Sequence, residues 1–311
     1  MIKLKCILFA GFVVLLPFFL WAQCLSSVNP VGGTDNLLVL DKSSIRVISF
    51  YKHGQSNSYF EGSSLSDYRY IEKADYNFLS VILGYGLSTK TTLEFEAGYF
   101  LNKRYSYVGS SHPHTGRGLS NLVCLIKSSL YSDHVNRFYI TGAVGPKIPF
   151  SRNYRYANNI QLPVEVQPTI GAYGAVISSS FVKEVSATGT RYFLTNRLEM
   201  NGTNKNSYKL GTSIYNSFYI SKHLMFSWLK GDWTAIVQLR NELRASDKLN
   251  NKIKASSGST LFFISPQINY VLKGDWYISG MYDLPVYQKF KGTQLEAGTG
   301  FTFIISKTFM L

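Results

Sequence analysis

Proline is scarce in this chain of 311 residues, with nine in all, and cysteine is scarcer, with three. Few prolines leave long segments free to form uninterrupted backbone ladders. Three cysteines make no disulfide framework, and no disulfide is expected. Beyond the N-terminus there is no further run of about 18 apolar residues, so no transmembrane helix is visible. No glycine-rich phosphate loop and no HExxH-type zinc motif occurs, and there is no internal repeat or low-complexity segment. Charged residues make up only 16%. What is abundant is aromatic: 22 tyrosines and 21 phenylalanines. The mean hydropathy is −0.01. That is too polar for a bundle of membrane helices and unusually aromatic for a soluble domain. A membrane barrel has this average because lipid-facing and lumen-facing residues alternate.

Lys3 and Lys5 precede an apolar run from Ile7 to Leu20, followed by Trp21-Ala22-Gln23. A basic start, a short apolar core and a small residue near its end read as a secretory signal peptide over residues 1–22. A membrane anchor is the alternative, but the run is short and has no stop-transfer flank. Gln23 before Cys24 fits poorly with a lipoprotein site. Cys6 leaves with the signal. Net charge falls from +14 to +12 once Lys3 and Lys5 are removed. In an exported chain without a groove-reading motif, that excess argues against nucleic acid and toward lipopolysaccharide phosphates, anionic lipid or anionic solutes.

The stretch TTLEFEAGYFL, residues 91–101, shows the pattern of the rest. Leu93, Phe95, Ala97, Tyr99 and Leu101 share one parity. Thr92, Glu94, Glu96, Gly98 and Phe100 share the other. Period two means a strand with unlike faces. Twelve such segments follow from about Ser43, and their connections mostly alternate between short and long. That alternation, with an even strand number, predicts an all-β transmembrane antiparallel barrel over residues 43–311, with short periplasmic turns and longer extracellular loops. A soluble Greek-key sandwich would show no such rule. Residues 23–42 read as an N-terminal segment that hangs in the periplasm or plugs the barrel mouth. Tyr105, Tyr107, Trp233 and Trp276 sit near strand ends, as interfacial girdles would. The last segment, Thr293–Phe309, is amphipathic and aromatic near its end, as the outer-membrane assembly machinery commonly receives.

If the apolar parity meets lipid, the other meets the lumen. That places Arg46, Lys52, Glu94, Glu96, Arg197, Glu199, Lys209, Arg240, Glu242, Arg244, Asp283 and Glu296 inside. Charges on the lipid face at the midplane cost about 2–4 kcal/mol, so their shared parity supports the register. Six bases balance six acids. An open anion pore would show an excess of Lys and Arg. Equal numbers suggest ion pairs across a narrow lumen. The net positive charge then falls to the loops, as solvated charge or as a lipopolysaccharide-binding surface.

Catalytic and metal motifs are thin. His112-Pro113-His114 lacks the further ligands a metal needs. His53 and Ser56 are three residues apart, which in a regular strand sends them to opposite faces. No catalytic residue, metal or cofactor is expected.

Several stretches resemble one family, the outer-membrane transporter-like barrels named after phenol-degradation (MetA) pathways. They are YFEGS (Tyr59–Ser63), GYGLSTKTTLEFE (Gly84–Glu96), GAVGPKIPF (Gly142–Phe150) and Gly274–Phe303. Pro285-Val286-Tyr287-Gln288 and Gly292-Thr293-Gln294-Leu295 are the most specific pieces. The chain departs from the pattern where Met310 and Leu311 follow Phe309, and at Pro149-Phe150-Ser151. The resemblance implies a β-barrel and passive uptake of small apolar or aromatic compounds. The expected function is therefore a passive outer-membrane channel for a small solute. The alternative is a structural barrel with a closed lumen, its basic loops binding lipopolysaccharide or a partner protein.

Overall fold

A computed structural model describes residues 37–311 except 158, 227, 229 and 275. The expected signal peptide and most of the expected N-terminal segment, Cys6 and Cys24 included, lie outside the described residues.

Twelve antiparallel strands form one closed barrel. They are β1 Ser44–Ser56, β2 Ile71–Ser88, β3 Thr91–Tyr107, β4 His114–Asp133, β5 Phe138–Pro149 and β6 Gly174–Val185. The second half is β7 Thr190–Asn201, β8 Ser213–Leu224, β9 Asp232–Arg244, β10 Ser259–Leu272, β11 Trp276–Phe290 and β12 Gly300–Met310. Each strand pairs with its sequence neighbour. The ring closes where Ser44 meets Met310 and Gly54 meets Gly300. Closure leaves no open edge, which a backbone in hydrocarbon requires. Among the described residues there is no α-helix, only a 3₁₀ turn at Val164–Val166.

The barrel is apolar outside. On β2, Leu79, Val81, Leu83, Tyr85 and Leu87 are exposed, while Phe78, Ser80 and Ile82 are buried. The same holds for Phe95, Tyr99 and Leu101 on β3 and for Phe301 and Phe303 on β12. A soluble sandwich would bury these side chains between sheets, each contributing about 1.5–3 kcal/mol. Here they form a continuous outward band, and lysines, arginines and carboxylates are buried within. Lys307, which interrupts the apolar parity of β12, lies 5.0 Å from the ring centres of both Trp276 and Phe309. A lysine at the membrane boundary can snorkel in this way.

Short turns and the C-terminus gather at one end, and the long connections at the other. The first end is periplasmic by the rule that short turns face the periplasm.

Three expected strands start later than their pattern. Pro168 cannot donate to a ladder, and Gly171 has φ +73°, so the chain turns inward before β6 begins at Gly174. Tyr208–Lys209 pairs with Lys248–Leu249 in a small separate sheet, and β8 begins only at Ser213. Thr293–Leu295 pairs with Tyr59–Glu61, and β12 begins at Gly300.

A bulge in β3 matters more. Phe100 pairs with Gly118 and Lys103 with Gly116, so Leu101 and Asn102 together oppose Arg117 of β4. Two residues against one reverse the strand's parity. Lys103 and Tyr105 are therefore buried inside. Tyr105 is not part of an outer girdle, contrary to its position near a strand end.

Candidate functional site

At both ends of the lumen the chain itself folds inward. Residues 37–43 cross the periplasmic end. Leu37 packs with Val182, Phe193, Tyr219 and Ile236 of β6 to β9. Its carbonyl accepts from Thr141 Oγ1 of β5 at 2.8 Å. On the opposite wall Leu40 N donates to Thr92 Oγ1 at 2.8 Å, and Ser43 N to the Gly86 carbonyl at 2.8 Å. Gly86 has to lack a side chain: a Cβ there would lie 1.9 Å from the Asp41 carbonyl oxygen. The described part of the N-terminal segment is thus a strap inside the mouth.

At the extracellular end the connection 150–173 folds inward. Val166 is fully buried, and a Cβ on Gly116 would lie 1.8 Å from its carbonyl oxygen. Lys103 Nζ donates to the Gln167 carbonyl at 3.3 Å, and Thr169 Oγ1 to Asn121 Oδ1 at 2.9 Å. Lys254 pairs with Glu165 at 3.1 Å. A buried hub holds the neighbouring connections. Asp247 receives Arg244 at 2.7 Å, the Gly211 amide at 2.8 Å and the Tyr208 hydroxyl. Burial, then the Asp247 carboxylate, pushes the Tyr208 phenol up from its ordinary value.

Between these inward folds run two ion-pair chains. In the first, Arg197 of β7 reaches across the lumen to Glu96 of β3 with two bonds of 2.8 and 2.7 Å. Arg197 also binds Glu199 at 2.9 Å, and Lys147 binds Glu199 at 2.6 Å. Lys127 pairs with Glu94 at 2.5 Å. In the second chain Asp283 receives Arg240 at 2.9 Å, Lys52 at 3.3 Å and Ser265 Oγ at 2.5 Å. Arg240 also binds Glu242 at 2.7 Å and lies over the Phe263 ring at 4.4 Å. These side chains are almost wholly shielded, so each charge depends on its partner.

The remaining lumen wall is mixed, with buried polar side chains such as Ser80, Gln238, Gln267 and Thr302 beside one apolar patch. Ile48, Phe50, Phe78, Ile82, Phe100 and Ile304 form one cluster on β12, β1, β2 and β3. The open space is divided. A cavity of about 80 Å³ lies on the extracellular side, between Phe78, Phe100, Ile170 and Leu210. A second, of about 60 Å³, lies on the periplasmic side and is bounded by Leu37 and Tyr215. Glu96 and Arg197 line both. The bidentate pair is the partition between them. Further out, a third space of about 220 Å³ is lined by Tyr59, Tyr70, Tyr105, Tyr107 and Gln294. Burial pushes the Tyr59 phenol up to about 12. Gln294 is buried, and its Oε1 has no hydrogen-bond partner among the described residues.

Of the twelve residues expected inside, Lys52, Glu94, Glu96, Arg197, Glu199, Arg240, Glu242 and Asp283 lie in the two chains. Arg46 is half-buried near the periplasmic end, its Nε on Thr308 Oγ1 at 3.0 Å. Arg244 belongs to the Asp247 hub. Two lie elsewhere. Lys209 is exposed, because Tyr208–Lys209 left the barrel wall for the small outer sheet. Glu296 precedes β12, where its Oε1 accepts from the Asn57 and Ser58 amides at 3.1 and 3.2 Å.

Lys103, Lys127 and Lys147 were missed. Lys103 is turned in by the bulge. Lys127 shares its parity with Val123 and Leu125, so its face looks lipid-directed. His53 and Ser56 point to opposite sides of β1: His53 Nδ1 meets Asn77 Oδ1 at 3.0 Å, and Ser56 Oγ accepts from the Gly298 amide at 3.2 Å. His112 and His114 do not converge either. His114 binds the Tyr107 hydroxyl, and His112 binds Ser111.

No family model and no curated protein matches the chain. Among solved structures it is similar to the COG4313 outer membrane channel from Pseudomonas putida F1. The TM-score is 0.68 at 11% identity, over 90% of this chain and 100% of that one. At that identity the likeness is one of fold: this is the fold of a bacterial outer-membrane barrel. OprG from Pseudomonas aeruginosa, at 11% identity over 89% of this chain and 100% of that one, aligns with a TM-score of only 0.24 and adds nothing to that.

Proposed function

We propose that the protein is a gated outer-membrane channel for a small, uncharged solute with an apolar or aromatic body. Export by a cleaved signal over residues 1–22 precedes assembly, with residues 23–42 serving as the gate and 43–311 as the barrel. The observation that carries the reading is the divided lumen: two cavities share one partition, the Glu96–Arg197 pair. A solute taken from the tyrosine-lined space passes the inward connection, then the partition, then the strap. The apolar cluster of Phe50, Phe78 and Phe100 offers it a wall without stranding a charge. The resemblance to the phenol-degradation barrels supports the same class of solute, and its segment Thr293-Gln294-Leu295 lines the outer space.

The chain folded into both mouths favours a second reading, a structural barrel that conducts nothing. Purified protein in planar bilayers separates the two. A channel gives discrete conductance that rises when residues 24–42 are deleted. Silence from both the intact and the shortened protein, with folding preserved, leaves the structural reading.

A further inference from the structure

We infer that the outward wall of β1 to β4, at its extracellular end, is a headgroup site for lipopolysaccharide that holds the phosphates and sugar hydroxyls of lipid A. The inference concerns the outside of the barrel and does not rest on the permeation reading.

On β7, β8, β10 and β11 the exposed apolar side chains run close to the extracellular strand ends, at Met200, Ile214, Phe262 and Tyr287. On β2 to β4 they stop sooner, at Leu79, Leu101 and Leu119, and the wall continues beyond them. The bulge at Leu101 and Asn102 is where the change occurs. It brings Asn102 to the outside, beside Asn77 of β2 and opposite Arg117 of β4. His53 pairs in register with Asn77. A row of polar residues therefore sits directly above the apolar band, at the height where acyl chains give way to headgroups.

The row is internally fixed. The Tyr51 hydroxyl and His53 Nδ1 both reach Asn77 Oδ1, and Asn77 Nδ2 donates to Asn102 Oδ1 at 2.6 Å. A contact to a carbonyl oxygen makes Nδ1 the protonated nitrogen of His53. Its other ring nitrogen and the Asn102 amide nitrogen have no partner among the described residues. One step further out, Arg104 spends Nε and Nη2 on Asp75 Oδ1, at 2.9 and 2.8 Å, and keeps its other N–H groups. Arg117 is exposed and makes no ion pair among the described residues. Lys73, also exposed, follows two positions beyond Asp75. Asp75 and Glu72 are the acids on this part of β2, so three cations face two carboxylates. Guanidinium groups bind phosphate with paired N–H donors, and amides suit sugar hydroxyls. An isolated solvated charge run would need neither the amide row nor its place on the rim of the apolar band.

The test is to purify the barrel in detergent from lipopolysaccharide-producing cells and count the lipopolysaccharide retained per chain. R104Q/R117Q removes the two guanidinium groups; K209Q/K248Q removes two lysines paired in the outer sheet. Folding is followed by the heat-dependent gel mobility of the barrel. R117Q alone, at an exposed and unpaired position, keeps the readout should the double variant fold poorly. Loss of each charge-assisted contact corresponds to about tenfold weaker binding. Retention should therefore collapse in R104Q/R117Q, fall in R117Q and hold in K209Q/K248Q. Diphosphoryl lipid A should raise the unfolding temperature of the native protein, while dephosphorylated lipid A and inorganic phosphate leave it unchanged. Undiminished retention in R104Q/R117Q, or loss in K209Q/K248Q instead, overturns the site. Equal stabilisation by inorganic phosphate overturns its assignment to a lipid.

Discussion

Removing Arg197 is the most informative single perturbation of the lumen. Its guanidinium is the only group drawn across the barrel to Glu96, with both carboxylate oxygens engaged at 2.8 and 2.7 Å among the described residues. Side-chain exposure is 6% for Arg197 and 9% for Glu96. In R197M the Glu96 carboxylate is left buried without its partner, whereas Glu199 retains Lys147 at 2.6 Å. Breaking one side of a shielded pair costs about 3–5 kcal/mol, while replacing both sides by apolar groups is often close to neutral. E96L/R197M should therefore recover most of what R197M loses. The coupling energy from the cycle of E96L, R197M and the double variant should be about 3 kcal/mol. Unfolding in detergent measures it, with bilayer conductance recorded on the same preparations. The double variant merges the two cavities and should conduct more often than the native protein. A coupling below about 1 kcal/mol, the range of solvent-exposed pairs, would refute the claim that this pair is a shielded partition.

Three further outcomes follow from the inward folds. Leu37→Asp sets a carboxylate among Val182, Phe193, Tyr219 and Ile236, which is unfavourable enough to expel the strap and raise conductance with little change in unfolding of the barrel. Gly116→Ala drives a methyl group into the Val166 carbonyl, so protease cleavage of the connection 150–173 in intact cells should quicken. The Tyr59 phenol, raised from 10.0 to about 12, stays protonated when an unfolded tyrosine would not. Its contribution is complete below pH 10 and is lost as pH rises through about 12, so ultraviolet titration should show the alkaline loosening of this vestibule disappear in Tyr59→Phe.

The strand count and the two faces were legible because period two survives in nearly every segment. Glu94 and Glu96 between Leu93, Phe95 and Ala97 are enough to orient β3. Legibility ended where local geometry broke the period. The bulge at Leu101 sends Lys103 and Tyr105 inward, and no residue type marks it in advance. Lys209 failed for a related reason: a two-residue pairing with Lys248 lies outside the barrel, though its parity continues from β8. The strap was legible only as one of two options, since LLVL at residues 37–40 has no alternation, and only Gly84 and Gly86 opposite it hint at a close approach. The apolar lumen cluster was legible by parity, since Ile48 and Phe50 alternate with Arg46 and Lys52, and Phe100 follows Glu94 and Glu96, but residue type alone would send these side chains to lipid.

The charge balance inside bears on what such a lumen can pass. Lys52, Lys147, Arg197 and Arg240 meet Glu96, Glu199, Glu242 and Asp283, and Lys127 meets Glu94. No ring of one sign exists among these groups to draw in anions or cations, although the chain as a whole carries +14. An ion entering the partition would have to compete with a bidentate contact, and it would leave one member of the pair buried alone. On the proposed reading a neutral molecule would meet the aromatic cluster instead, and would need only a transient separation of Glu96 from Arg197. The excess positive charge lies on the loops and the outer rim, outside this paired set.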